Sequence, residues 1–377
     1  MAQKLKILIT NQSLDRGSGT EIVTRDLALE LKKLGHRPLV YAPVLGPLAD
    51  EVRAGNIPVF SDVRKIEPAP DVIHGQHHPQ ILAALLRFPT VPAIAVCHDA
   101  TAWQDEPLIF PRVLRYVAVD DRCRQRWEEN DRLPGGSVRV ILNAVDLSRF
   151  QVRSPLPAKP RRAAIFSNYA TKWTHAPAIA KACDSAGLKL DGIGQGFHTA
   201  TSEPEKILPQ YDLVFAKARC ALEAMATGTA VVLCDFAGLG VMVSSEKFSE
   251  LRRLNFGAGT LTRPLDAQLI AAEIQKYDAR DARLVSERTR EEANLTSTVA
   301  EWVDLYEEVI AEWRRDLSSA ARTGDEMMAA ANYLQTWGYG NRVAWEKNYV
   351  EKLQRWPLLG PSIRWAWQRQ LARRLQR

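Results

Sequence analysis

The sequence predicts an α/β protein: two α/β/α domains facing a central cleft, followed by a helical basic extension. Three observations carry this. Apolar strand-like runs alternate with helix-period segments twice along the chain. Between the two series lies QVRSPLPAKPRR, residues 151–162, whose three prolines and four cations exclude a helix interior and read as a linker. The length of 377 residues suffices for two domains with full cores. The expected division is 1–150, linker 151–162, 163–316, and a Trp-rich basic tail over 317–377.

KLKILIT, residues 4–10, reads as a buried parallel strand. A Gly17-Ser18-Gly19 loop follows. TEIVTRDLALELKKL then places apolar residues at 22, 23, 27, 29, 31 and 34, close to helical spacing, and Gly35 is a natural stop. RPLVYAP is a second strand, which completes one βαβ unit. DVIHGQ, AIAVCHD and YVAVDD continue as strands, with helices over 80–87 and 121–130, and RVILNAVDL closes the first half. The second half alternates again. AAIFSN, LKLDGIG, YDLVFAK and TAVVLCD are strands, and 176–186, 220–227, 267–277 and 284–315 are helices. Both halves are therefore Rossmann-like, with ligands expected beyond the carboxyl ends of the strands.

The bulk numbers exclude several classes. No apolar run approaches the ~18 residues needed to span a bilayer. The apolar core of MAQKLKILIT is too short for a signal peptide, so the protein is expected to be cytoplasmic. Its five cysteines form no CxxC pair, which fits reduced thiols better than a disulfide frame or zinc site. The net charge is +6, but residues from Arg342 onward hold nine Lys/Arg and two Asp/Glu, which leaves the body near neutral. A nucleic-acid groove through the body is not expected.

The candidate chemistry centres on ARCALEAMATGTAVVLCD, residues 218–235. A helix starting there presents free N–H groups beside Lys217 and Arg219, a combination that suits a phosphate or diphosphate. Glu223, one turn in, has two readings: it accepts from the vicinal hydroxyls of a ribose, or it complements the helix dipole. Gly17, Ser18 and Gly19 likewise form either a close-approach loop for a ligand or a plain βα turn. A dinucleotide fingerprint would need glycine where Ile22 stands and an acid near Tyr41-Ala42-Pro43, so NAD is excluded. No P-loop motif is present. His98-Asp99 ends a strand and is expected in the cleft, whereas His77 and His78 read as loop-packing residues. The sequence has no Asp-x-Asp pair to hold a metal–diphosphate, and no required metal is expected.

These residues resemble a known family. KILIT…GSGTE…LALELKKLGH, DVIHGQHH, AVCHD, VAVDDRCRQRW…VRVILNAVDLSRF and ALEAMATGTAVV occur in the order found in GT-B-fold, family-4-like retaining glycosyltransferases. The resemblance spans roughly residues 4–315 and implies a nucleotide-diphosphate-sugar donor, a UDP- or GDP-sugar, bound mainly by the second domain. The acceptor would bind in the first domain and react in the cleft. It implies that Glu223 is the ribose-holding second acid of the family's E-x7-E motif. It further implies that Lys172, with Asn168 nearby, neutralises the diphosphate, that Gly17–Gly19 approach the phosphates, and that His98 lies near the transferred sugar. The first acid of E-x7-E falls at Phe215, and Lys217 and Arg219 are expected to take over phosphate binding. The family's N-G-V-D reads Asn143-Ala144-Val145-Asp146 here.

The expected activity is thus a metal-independent retaining transfer of a sugar to a glycan or lipid-linked acceptor in bacterial surface polysaccharide synthesis. A non-catalytic sugar-nucleotide or glycan-binding subunit and a GT-B sugar-nucleotide epimerase are the alternatives. In the tail, Ile363, Trp367, Leu371 and Leu375 form an i, i+4 row flanked by arginines. It fits peripheral docking on the inner face of a membrane through 342–377, packing back on the body, or homo-oligomer contact.

Overall fold

The first sheet grows outward from a central strand that is apolar on both faces. In β1 (Lys6–Thr10), Ile7, Leu8 and Ile9 are fully buried, as a parallel strand with helices on either side requires. There follow β2 (Ser13–Leu14), α1 (Gly19–Lys33), β3 (Arg37–Tyr41), β4 (Val44–Leu45), α2 (Pro47–Ala54), β5 (Val59–Phe60), β6 (Val72–Gln76), α3 (His78–Arg87), β7 (Ala93–Cys97), β8 (Val113–Ala118), α4 (Asp121–Glu128) and β9 (Val138–Val140). Seven strands pair in the order β5-β3-β1-β6-β7-β8-β9, every pair parallel. The chain runs outward from β1 through β3 and then returns to β6. The strand order therefore reverses beside β1, and a crevice opens at its carboxyl end. This is a computed structural model, and it describes residues 4–15, 17–130, 133, 136–315 and 322–338.

The second sheet repeats the scheme. Its elements are β10 (Arg162–Phe166), α5 (Ala176–Ser185), β11 (Lys189–Ile193), α6 (Pro204–Ile207), β12 (Leu213–Ala216), α7 (Ala218–Ala226), β13 (Ala230–Asp235), β14 (Gly238–Met242), α8 (Phe248–Arg253), α9 (Ala267–Ile274), α10 (Ala279–Glu292) and α11 (Leu295–Arg315). The order is β11-β10-β12-β13-β14, parallel except for the terminal β13–β14 pair. The reversal lies between β10 and β12, so the loops after these two strands flank the second crevice. Two apolar clusters fill its faces, one around Val214, Leu222 and Phe248 and one around Ile165, Phe215 and Ile270.

Two departures from the sequence reading matter. The single helix expected over 284–315 is two, α10 and α11. The break at Ala293-Asn294 exists because that backbone pairs with Val145: Val145 N–H donates to Ala293 O at 2.9 Å, and Leu295 N–H to Val145 O at 3.1 Å. The chain crosses between the sheets twice, and the crossings are hydrogen-bonded to each other. The sequence reading assigns α11 to the second domain, within 163–316, but it packs on the first sheet. Arg115 of β8 pairs with Glu308 at 2.6 Å and Glu312 at 2.5 Å, and the Trp313 indole donates to Thr90 O at 2.7 Å.

The chain divides into two units, residues 1–108 with 112–317, and 109–111 with 318–377. Both sheets belong to the first. Of the second, α12 (Arg322–Trp337) carries exposed Met327, Met328 and Leu334. The basic row over 342–377 lies outside the described residues. No described helix is long and apolar enough to cross a membrane.

Candidate functional site

At the first crevice the glycine loop is held by a carboxylate. Glu21 accepts from Ser18 N–H at 2.6 Å, from Asp15 N–H at 2.9 Å and from the Ser13 hydroxyl. Burial pushes this carboxyl up, but the three donors outweigh it and hold it below its ordinary value. Gly17 adopts φ 73°, which a side chain would resist, and a Cβ on Gly19 would meet nothing within 4 Å. The loop thus presents open backbone at the start of α1, with Ser18 at its cap.

The histidines divide by role. His74 packs edge-on to Trp302 at 4.8 Å and shares a 2.7 Å hydrogen bond with the Tyr306 hydroxyl, so it seats α11. His77 Nδ1 accepts from Gln12 N–H at 3.0 Å, and His78 Nε2 donates to Trp103 O at 3.2 Å. Both pack loops, as the sequence suggested. His98 is different. Its Nε2 is enclosed without a hydrogen-bond partner among the described residues, and its ring lines a small cavity between the halves with Asp26, Asn143, Arg219 and Trp302. Burial drives His74 and His98 down to about 3, and His77 and His78 to about 4, so all four are neutral near pH 7. Asp99 is exposed and builds its own turn, accepting from Thr101 N–H at 2.6 Å, the Thr101 hydroxyl at 2.7 Å and Ala102 N–H at 3.0 Å. Among the described residues these contacts give it a loop-forming role.

At the second crevice the loop between β12 and α7 is one residue, Lys217. This explains the missing first acid. Phe215 lies inside β12 and is buried in the core, so no side chain from that position reaches the crevice. Lys217 pairs with Asp235 at the end of β13 and sits 5.4 Å over the Phe236 ring. Ala218 takes φ 50° and donates its N–H to Phe256 O at 2.7 Å. Arg219 is enclosed: its Nε donates to Glu223 at 2.8 Å and its Nη2 pairs with Asp26 of α1. Arg25 Nε joins Asp26 at 2.9 Å, and Arg25 reaches Glu51 at 2.8 Å. Burial raises Asp26, yet Arg219 and Arg25 overcome it and hold the carboxyl below its ordinary value. Glu223 goes the other way: burial, aided by Asp26, exceeds the pull of Arg219 and raises it.

Lys172 and Asn168 lie on the loop after β10. Asn168 Oδ1 accepts from Gln195 N–H at 3.2 Å, which ties the β10 and β11 loops together. Lys172 sits 5.0 Å over the ring of Trp173, which is 84% exposed, along an open groove with Phe197 and His198. The structure thus places Lys172 among these residues, whereas Lys217 neighbours Asp235 and Phe236.

Sequence reasoning missed Asp26, Arg25 and His175. α1 buries Thr24, Arg25, Asp26 and Glu30 as well as Leu27 and Leu31: Thr24 meets Asn11 and Arg25 meets Glu51 within the first half, whereas Asp26 meets Arg219 and Glu30 meets Thr296. The signal was present: these polar residues interleave with the apolar row instead of lying opposite it. His175, before α5, is 1% exposed with neither ring nitrogen hydrogen-bonded among the described residues, and it feels the charges of Asp235 and Lys217.

Two sheets of mainly parallel strands, with Lys217 and Arg219 at the start of α7, match known proteins. Residues 17–149 match the family model described as Glycosyltransferase Family 4. The fold is GT-B. A glycosyltransferase from Rickettsia africae ESF-5 superposes with TM-score 0.56 at 14% identity, covering 81% of this chain and 99% of that one. Anabaena HepE in complex with UDP and glucose gives TM-score 0.58 at 14% identity, covering 80% and 99%. Sucrose-phosphate synthase from Thermosynechococcus elongatus gives 0.54 at 14%, covering 82% and 100%. No curated protein sequence matches the chain.

Proposed function

We propose that this GT-B protein is a retaining glycosyltransferase that moves a sugar from a nucleotide-diphosphate-sugar to a hydroxyl of a glycan or lipid-linked acceptor. The observation that carries the reading is the β12–α7 junction. Lys217, Arg219 and Glu223 converge there at the carboxyl end of the second sheet, on the side that faces the first. Support also comes from the family-4 match over 17–149 and from the UDP and glucose in the Anabaena neighbour. In the reaction the bond from the sugar's anomeric carbon to the diphosphate breaks, and the acceptor oxygen bonds to that carbon. The hydroxyl proton passes to a phosphate oxygen, and the nucleoside diphosphate leaves. Lys217 and the α7 N-terminus would stabilise the charge that develops on the leaving group, without recourse to a metal. Neutral His98 would hydrogen-bond the sugar, while Asp99 keeps its loop in place.

Bacterial surface polysaccharide synthesis on the cytoplasmic face of the membrane is the setting this reading suggests, with the basic tail over 342–377 as the membrane contact. The test is turnover with a panel of labelled UDP- and GDP-sugars. Release of nucleoside diphosphate, with retention at the anomeric carbon, is expected with one donor. A second reading has a specific observation in its favour. Phe215 offers no acid, and Arg219 is fully matched by protein carboxylates, as in a binding subunit that has lost catalysis. Donor binding without turnover across acceptor extracts would favour it.

A further inference from the structure

Among the described residues of the second half, the exposed Phe, Tyr and Trp side chains are Tyr169, Trp173 and Phe236. All lie in loops at the carboxyl ends of strands, Tyr169 and Trp173 after β10 and Phe236 directly after β13. Two of them meet. The rings of Tyr169 and Phe236 pack edge to face with centroids 5.9 Å apart, yet Tyr169 stays 56% exposed and Phe236 53%. The strands that carry them are not neighbours: β12 stands between β10 and β13, and two strand spacings amount to about 10 Å. The side chains can meet because the loop leaving β12 is the single residue Lys217, too short to fill the gap. The pair thus closes over the end of β12, with Lys217 Nζ 5.4 Å from the centre of the Phe236 ring. A lone exposed aromatic is ordinary. Two that pack together at the mouth of a crevice, and still leave more than half of their surface in water, suit a ligand that covers them.

We propose that Tyr169 and Phe236 form a stacking platform for the sugar ring of the donor. This rests on the donor reading given above and gives that site its sugar contact. The order of groups supplies the placement. Glu223 lies one turn into α7 with Arg219 at 2.8 Å, Lys217 precedes the helix, and Phe236 adjoins Lys217. With the ribose at Glu223 and the diphosphate at Lys217, the group that reaches the aromatic pair is the one esterified to the far phosphate, the sugar. The chemistry matches. The faces of a pyranose carry C–H bonds whose hydrogens are slightly positive beside the ring and hydroxyl oxygens, and the face of an aromatic ring is negative. Position 215 offers no carboxylate to sugar hydroxyls, because Phe215 is buried in the core. A platform holds the sugar by its face instead, so selection follows the apolar surface of the ring more than any single hydroxyl. Trp173 is not part of it: this residue lies under Lys172 along the groove with Phe197 and His198.

Titration calorimetry with UDP, GDP and a panel of their hexose esters decides it. Phe236→Ala should weaken the nucleotide-sugar that wild type binds about five- to tenfold, and should change the affinity of the matching nucleoside diphosphate by less than about twofold. Phe236→Trp should keep wild-type affinity for both. Phe236→Leu, apolar but without a π face, should lose as much as Phe236→Ala. Trp173→Ala, outside the pair, should change neither affinity. An equal loss for both ligands, no loss for the nucleotide-sugar, or full affinity in Phe236→Leu overturns the platform. If Phe236→Ala does not fold, Tyr169→Ala decides by the same two affinities. A wild type that binds the nucleoside diphosphate but none of its sugar esters refutes the platform and leaves the diphosphate site standing. One that binds neither refutes the donor reading, and the platform with it.

Discussion

Two buried arginines, Arg112 and Arg219, show how differently one side chain is used in the two halves. Arg112, just before β8, is 1% exposed and donates to three backbone carbonyls, Phe88 O at 2.8 Å, Val91 O at 2.8 Å and Leu85 O at 2.7 Å. It closes the end of α3 and the loop behind it. Those acceptors cannot be traded for a ligand without unwinding a helix end. Arg219 instead meets carboxylates on two helices, one from each half, and sits at the switch point of the second sheet. Carbonyls from one segment make a scaffold; carboxylates from two segments make a contact that can be exchanged. Burial alone does not separate the two, but the origin of the partners does.

The comparison is easiest to break at Arg112. Arg112→Met leaves three buried carbonyls without these donors, and since each unsatisfied group costs about 1–3 kcal/mol, unfolding free energy should fall by at least about 3 kcal/mol. Nucleotide affinity of the remaining folded protein should not change; a variant that denatures like wild type would remove the scaffold assignment. Arg219→Met should act in the opposite sense. Its affinity for UDP or GDP should drop roughly 10- to 100-fold, the equivalent of a lost charge-assisted hydrogen bond of about 1.5–3 kcal/mol. Calorimetry that finds wild-type affinity would make Arg219 a strut like Arg112.

Much of this contrast can be read from the chain. The alternation of strands and helices, the Pro-rich linker and the ALEAMATGTAVV segment are enough to define two α/β/α halves and to single out Lys217, Arg219 and Glu223. Partners are not legible. That Arg219 is enclosed by Asp26, 193 residues away, depends on how the halves pack, and no local spacing encodes it. The same holds for α11, whose Trp302 and Tyr306 meet His74, across 232 residues in the case of Tyr306. Phe215 stands in the sequence where an acid is expected, and the structure supplies the reason, a one-residue loop that keeps the position inside the strand.

The imidazoles of the first half offer a smaller, sharper check. His77, depressed from 6.5 to about 4 by burial, favours folding while neutral. Its contribution is complete above pH 6.5 and is lost as pH falls from there towards 4, with a slope of about 1.4 kcal/mol per unit. His77→Asn keeps an acceptor for Gln12 N–H and tolerates the φ of 63°. Denaturation followed from pH 6.5 to 4.5 should show a slope shallower by about that amount. Asp105, raised to about 7 by burial, contributes with the opposite sign in both proteins and cancels in the difference. Parallel curves would mean that His77 titrates normally.

The central claim is that the β12–α7 junction of the second half is built to hold a diphosphate. Titration calorimetry with UDP and GDP, each against its own nucleoside, tests it most directly. The account predicts that one diphosphate binds and that its nucleoside binds at least about 100-fold more weakly, since the hydrogen bonds to the phosphate oxygens are charge-assisted and a nucleoside cannot form them. Equal affinity for nucleoside and diphosphate, or binding of neither diphosphate, would contradict it.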